Sequence, residues 1–528
     1  MQFGPFISVV LRDRRYALLY NERHGFIFMG KANRNKRANQ EALEAKQANN
    51  AGKKAKSNKF IAILCTVLVV VLLGSLVAYS SLVTNGFFLR NTVVATTENY
   101  EVDNAVFSYF FHKNYQEFTS TYGYYFPIDT NISLKGQTCT LYSDGSTWFD
   151  FFASNAKSNL ANLLAFCEEA NARGITLSEE DQAEIDAAIA TLKDSAKQAG
   201  VTTSFYIRSM FGAGVNQKDL RRALEITTLA SKCNQAIVEA YNYGEADYDK
   251  YIEENPQALL YAEYIAFDME TADTMEEDDK TAALLQGYLD RFAQATTKAA
   301  FEDIAFDYLR NVVHADDEEV TIEEIKEEVA NLTTKAAYVK DNSTSEWAFS
   351  ADRKAGDILT EINEDKTTYS AYMLLAPAAL DDYKTVNVRH ILLSSETYGS
   401  DEAAKAKAEE ILASFKGGAD AFAALANEYS EDTGSNENGG LYENVGKGEM
   451  VDEFDAWLYT DGRKTGDTGI VKSDFGYHVM FFDGEGKIAW HVQADNALKN
   501  AQYSKDSAAI NEKYPTAFDN RAIFELDV

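Results

Sequence analysis

Val388-Arg389-His390-Ile391-Leu392-Leu393 and Phe475-Gly476-Tyr477-His478-Val479-Met480 are the two runs on which the fold of this chain turns. Each is rich in β-branched, aromatic and aliphatic residues, the composition of a short strand, and each carries one histidine. Between them lie an Ala-rich helical segment, the Gly-rich stretch Gly439-Gly440-Leu441-Tyr442-Glu443-Asn444, and Gly448-Glu449-Met450-Val451-Asp452-Glu453-Phe454. A compact unit that brings the two strands side by side therefore gathers two of only six histidines beside a Met/Phe pair.

Working outward, residues 258–378 repeat the pattern of residues 384–486. Tyr264-Ile265-Ala266-Phe267 lies where His390-Ile391-Leu392-Leu393 lies, and Phe301–Tyr308 parallels Phe422–Tyr429. Trp347 with Arg353-Lys354-Ala355-Gly356-Asp357 returns as Trp457 with Arg463-Lys464-Thr465-Gly466-Asp467, at a constant offset of 110. Tyr372-Met373-Leu374-Leu375 then answers His478-Val479-Met480-Phe481. Internal self-similarity of this kind predicts two tandem units, the first with Tyr264 and Tyr372 in place of the histidines.

Upstream, residues 95–256 show apolar residues at three and four spacing, and Ser178-Glu179-Glu180-Asp181 is a helix start with an acidic first turn. Residues 488–528 include a helix-like stretch expected to pack back on this domain. The charge-free run Phe60–Leu89 holds about 20 mostly apolar residues, the length needed to cross a bilayer core as a helix. Residues 60–82 are therefore read as one membrane span. Residues 1–59 carry 13 Lys and Arg against 4 Asp and Glu, a balance of +9, which leaves −41 for the rest of a chain of net charge −32. The basic segment is expected in the cytoplasm, with the bulk of the chain outside. A cleaved signal is the other reading of the apolar run, with Ala78-Tyr79-Ser80 as its cleavage site, but the long basic segment before it favours an anchor.

An external charge of −41 argues against nucleic acid as a partner. Beyond the span there are only Cys139, Cys167 and Cys233, so no disulfide framework builds the fold, though a single pair such as Cys139 with Cys167 stays open. No spacing of Cys or His suggests a metal centre, and no cofactor is expected.

The order strand, helix, Gly-rich loop, Met-x-x-x-Phe and strand resembles a parvulin-type peptidyl-prolyl isomerase domain. The helices around Gly212, Gly214, Leu220, Leu224 and Ala230 resemble the N-terminal domain of anchored foldases of the PrsA and SurA kind. The resemblance implies an α+β architecture with a helical chaperone domain and two parvulin-like units, the first degenerate. It places catalytic groups at His390, Asp432, Ser473 and His478, and proline-contacting groups at Tyr442, Met450 and Phe454. Gly439, Gly440, Gly446 and Gly448 would shape the loop above them. Where many parvulins follow the Gly pair with Asp-Leu-Gly, this chain has Leu441-Tyr442-Glu443, so Tyr442 takes a pocket position usually held by Leu.

Rotation about an X-Pro bond crosses a barrier of roughly 18–20 kcal/mol without breaking a bond. A site for it needs only to bind the twisted amide better than either planar form. The implied substrates are unfolded or partly folded exported polypeptides. A non-catalytic holdase or envelope assembly scaffold is the alternative; an adhesive protein is disfavoured by the absence of Ser/Thr/Pro-rich stalks.

Overall fold

The computed structural model describes residues 66–524, apart from residues 84, 271–278, 316 and 318. The basic segment 1–59 and the first residues of the expected 60–82 span lie outside the described residues. Among the described residues, one helix, Thr66–Val83, is long and apolar enough to cross a membrane by length and composition.

A helical domain follows, built on Asn104–Tyr122, Trp148–Arg173, Glu179–Gln198, Thr203–Phe211 and Gln217–Glu239. Three of these helices start in reciprocal capping boxes, Thr147 with Asp150, Ser178 with Asp181 and Asn216 with Asp219, which satisfy the free N–H groups of the first turn. Their apolar stripes meet in a core centred on Phe107, Phe111, Phe152, Leu160, Leu164 and Leu220. Two short strands, β1 (Val93–Thr96) and β2 (Glu101–Asp103), pair antiparallel beside this core. Strands of three and four residues are too short to show a period, so the sequence pattern, which read this region as mostly helical, did not find them. Cys139, Cys167 and Cys233 are all buried and free, so the Cys139–Cys167 pair is not made.

Two four-stranded antiparallel sheets come next. The first holds β3 (Leu260–Glu270), β4 (Thr333–Ala337), β5 (Ile358–Ile362) and β6 (Thr368–Leu380), in the order β4-β3-β6-β5. The second holds β7 (Lys384–Leu393), β8 (Leu441–Val445), β9 (Thr468–Ser473) and β10 (Gly476–Ile488), in the order β8-β7-β10-β9. Both therefore run second, first, fourth, third. Alternation along β7 sends Ile391 and Leu393 to one face, against Phe422 and Ala426 of the Ala419–Tyr429 helix. Val386 and Val388 go to the other, against Phe454 and Leu458 of the Asp452–Leu458 helix. In the first sheet Phe301 and Ala305 of the Lys298–Tyr308 helix fill the places of Phe422 and Ala426.

Register corrects one expectation. Gly356 N–H donates to Leu374 O and Leu374 N–H to Asp357 O; Gly466 N–H donates to Phe482 O and Phe482 N–H to Asp467 O. Leu374 thus stands where Phe482 does, and Tyr372, two residues back, stands where Met480 does. Ala266 faces Tyr372 as His390 faces Met480, and Ser370 faces Asp268 as His478 faces Leu392. The positions of the histidines are held by Ala266 and Ser370, and not by Tyr264 and Tyr372. A shift of two residues leaves every side chain on its own face, so hydrophobic alternation is blind to it.

The chain closes with a helix, Ala489–Lys513, that returns to the helical domain. Lys513 pairs with Glu169 at 3.0 Å, and Asn511 Nδ2 donates to Asn162 Oδ1 at 2.8 Å. Tyr241 OH donates to Asp506 at 2.7 Å. Strand β11 (Ala517–Phe518) then pairs with β1, joining both ends of the chain beyond the apolar helix in one small sheet.

Candidate active site

His390 sits in the middle of β7 and His478 near the start of β10, diagonal neighbours on the face covered by the Asp452–Leu458 helix. Both are 5% exposed, and their rings stack with centroids 5.3 Å apart. Their Nδ1 atoms are 3.1 Å apart, so a single proton lies between them. His390 Nε2 is 2.8 Å from Asp432 Oδ2, and His478 Nε2 is 2.7 Å from Ser473 Oγ. With the carboxylate ionised, His390 donates through Nε2. The uncharged arrangement then has His478 Nδ1–H donating to His390 Nδ1, and Ser473 donating to His478 Nε2. Ser473 Oγ in turn accepts the N–H of Phe475 at 3.2 Å. The result is one directional chain of hydrogen bonds from the β9–β10 turn to Asp432. Burial, reinforced by the neighbouring His390, pushes the His478 imidazole down to about 4.

Asp432 reaches this place because its loop is stitched to the end of β7. Leu392 N–H donates to Ser430 Oγ at 3.1 Å, and Glu431 N–H donates to Leu392 O at 2.9 Å. Three donors then converge on Asp432 Oδ2: His390 Nε2, the hydroxyl of the buried Ser435, and Tyr442 OH at 3.0 Å. Gly434 N–H donates to Oδ1 at 3.2 Å. The His390 bond above all, with those of Ser435 and Tyr442, holds this carboxyl far below the usual carboxylate range, against the opposing effect of burial. A carboxylate so saturated is a fixed anion that orients His390, not a free base or nucleophile.

Gly440 is required by close approach. Its φ is +71°, its carbonyl accepts His390 N–H at 2.9 Å, and a Cβ there would lie 2.3 Å from His390 O. Gly439 and Gly448 also have positive φ; Gly446 does not, and instead donates its N–H to Glu449 at 2.8 Å. Phe454 stands edge-on to both imidazoles, at 5.3 and 5.4 Å, and is only 2% exposed, so it forms the floor beneath them. Half-buried Met450 and Tyr442 pack on the same cluster.

The structure thus gathers His390, Asp432, Ser473, His478, Tyr442 and Phe454 in one place, with Met450 at its edge. Tyr442 does more than line a wall, since its hydroxyl is spent on Asp432. Ser430, Ser435 and Arg389 were missed. Arg389 pairs with Asp483 at 2.9 Å and donates to Gly439 O at 3.0 Å, holding the Gly loop onto the sheet. Asp432-Thr433-Gly434-Ser435 has the spacing of an Asx turn, a signal that could have found Ser435. Two surface cavities, of about 320 Å³ beside His112 and about 340 Å³ beside Phe306, lie away from these residues. Among the described residues no group of three His, Cys, Asp or Glu side chains is set to hold a metal ion.

Residues 372–483 match the family of PPIC-type PPIASE domains. The first of these belong to β6 and the link after it, so the sheet that carries the histidines begins later, at Lys384. Foldase protein PrsA 1 of Listeria innocua is 35% identical over 136 residues, 25% of this chain and 39% of that protein. Foldase protein PrsA 2 of the same organism is 28% identical over 245 residues, 45% of this chain and 72% of that protein. The chain therefore spans about two fifths of the length of the first of these relatives. A crystal structure of the peptidylprolyl isomerase PrsA from Bacillus cereus covers 51% of this chain and 86% of its own at 20% identity, with a TM-score of 0.19, too loose an overlay to carry an argument. The paired histidines and the Asp432 loop thus lie in a region that matches the PPIC-type PPIASE domain family, in a chain similar to the PrsA foldases.

Proposed function

We propose that this chain is a membrane-anchored foldase that isomerises X-Pro bonds of exported polypeptides at the outer face of the cytoplasmic membrane. The observation that carries the reading is the His390–His478 pair, locked between Asp432 and Ser473 on a sheet of the isomerase family. As the peptide bond before proline twists, its carbonyl and nitrogen lose conjugation and their polarity changes. A dry floor of Phe454 with an oriented, hydrogen-bonded imidazole pair binds that state better than the planar ones. Asp432 and Ser473 act by holding the proton pattern of the pair, and no covalent step is needed. Phe475, 63% exposed on the turn that follows Ser473, offers an apolar contact for the client chain.

The first sheet is read as a degenerate parvulin-like unit. Its shared strand order and its Gly356/Gly466 hydrogen bonds support a duplication, and Ala266 and Ser370 leave it without the imidazole pair. It then serves as a spacer or client-holding surface, together with the helical domain. The apolar helix Thr66–Val83 fits the anchor, and the +9 balance of residues 1–59 supports a cytoplasmic N-terminus.

The test is the cis-to-trans rate of an Ala-Pro or Lys-Pro peptide with the full chain in detergent, beside its His390→Ala/His478→Ala form. Acceleration lost in the double variant supports the catalytic reading. No acceleration by a folded wild type that still suppresses client aggregation would leave a holdase.

A further inference from the structure

The step from the apolar helix into the helical domain is not a linker. Gly86, three residues beyond Val83, opens a one-turn helix, Phe87–Arg90, and its backbone is pressed against Gly214, in the turn between Thr203–Phe211 and Gln217–Glu239. A Cβ on Gly86 would lie 2.2 Å from Gly214 O, and one on Gly214 would lie 2.6 Å from Gly86 Cα. Both residues have positive φ, +68° and +89°. Arg90 closes the joint. Its Nη1 donates to Gly214 O at 3.0 Å and pairs at 3.0 Å with the buried carboxylate of Asp219, while Nη2 donates to Asn85 O. The same Asp219 caps its own helix through Asn216 N–H, so the pair is tied into the helical domain.

The turn is clamped from its other side too. Ser108 Oγ donates to Phe211 O at 2.7 Å, and a Cβ on Gly212 would lie 2.6 Å from Ser108 Oγ. Tyr79, Phe87 and Phe88 form an exposed aromatic cluster along the joint, with centroids 5.7 Å apart for Tyr79–Phe88 and 5.5 Å for Phe87–Phe88. A Tyr exposed near the end of a spanning helix is one of the residues that settle at the headgroup level, and Phe87 and Phe88 extend the apolar surface beside Tyr79. Gly86 is three residues past Val83, so the chain between them can reach no more than ~10 Å, about the depth of the headgroup layer beyond a span that ends there.

We infer that the helical domain docks directly on the bilayer, with the Gly212–Asn216 turn held in the headgroup layer by the Gly86–Gly214 contact and the Arg90–Asp219 pair. The partner of this surface is the lipid interface itself, argued from its continuity with the end of the span. The inference rests on the reading of Thr66–Val83 as a membrane span. It makes the foldase a body fixed at the membrane surface, where exported chains emerge, in place of one swinging on a tether.

The test uses the full chain in vesicles of phosphatidylcholine with a minority of phosphatidylglycerol, brominated just below the headgroups. Ala213 is exposed in the turn, so Ala213→Trp adds an indole there, and Lys218→Trp gives a second probe of the same surface. The added emission of both is expected to be lost in brominated vesicles, and to be recovered when Arg90→Ala opens the joint. Unquenched probes in a chain that stays in the membrane after alkaline carbonate would overturn the docking. Release of the chain by carbonate would instead overturn the span, and the docking with it. Peptide isomerisation by each variant reports that the remainder of the chain is folded.

Discussion

Replacing Asp432 by Ala removes the one acceptor on which His390, Ser435 and Tyr442 converge. The three donors lose differently. Tyr442 is half-buried and can turn its hydroxyl to water, and Ser435 Oγ is already 3.3 Å from His390 Nε2 and can bond it instead. His390 loses the charge that kept its proton on Nε2. Its Nδ1 can then be protonated, which sets two N–H groups against each other across the 3.1 Å gap to His478. A hydrogen bond to a charged group contributes about 1.5–3 kcal/mol net. If that sum is what holds the pair in its productive form, kcat/KM should fall about 10- to 100-fold, at roughly 1.4 kcal/mol per tenfold. Asp432→Asn, which keeps an acceptor oxygen without the charge, should fall between wild type and Ala. The assay is peptide isomerisation at several pH values, with ¹⁵N chemical shifts of His390 and His478 to read which ring nitrogen carries the proton. An Asp432→Ala protein that is folded, turns over at the wild-type rate and keeps the wild-type ¹⁵N pattern would refute this account of the carboxylate.

Three further outcomes are expected. His478 is buried neutral with its folded value near 4 against an ordinary 6.5, so protons favour the unfolded chain. The stability it contributes is present above about pH 6.5 and is lost as pH falls toward about 4, at about 1.4 kcal/mol per unit of depression; urea unfolding of wild type and His478→Asn across that window checks it, and equal pH slopes would count against it. Gly440→Ala forces a Cβ to within 2.3 Å of His390 O at a positive φ, and should destabilise the isomerase unit by about 2 kcal/mol or more in denaturant titration. Phe475→Ala removes an exposed ring, and should raise KM for peptide or unfolded client several-fold while leaving the thermal midpoint unchanged; a shifted midpoint with unchanged KM would assign the ring a structural role.

Much of the site was legible because its chemistry-bearing residues sit on regular elements. His390 and His478 lie on strands whose alternation gave their face, and Met450 and Phe454 flank the start of a short helix. Asp432 was harder. Four acidic residues crowd Glu428 to Glu437, and only the stitching of Ser430 and Glu431 to Leu392 selects Asp432 for His390. Arg389 was invisible for a like reason, since its partner Asp483 is distant in sequence, whereas Ser435 bonds a residue only three positions away and could have been found from the Asx-turn spacing. The recurring Trp and Gly-Asp spacing could be read along the chain, but the register of Tyr264 and Tyr372 could not.

The long helices, the two histidine-bearing strands, the apolar run and the sign of the charge along the chain could all be read from the residues alone, because each follows from local periodicity or from a sum over residues. The fold was needed to show which carboxylate meets His390, that Ala266 and Ser370 match His390 and His478 in register, and that Gly86 lies on Gly214. Those outcomes depend on strand register and on backbone contacts between segments 42 to 128 residues apart. A two-residue slip or a glycine-to-glycine approach leaves the pattern of apolar and polar residues unchanged, so the one-dimensional pattern carries no trace of it.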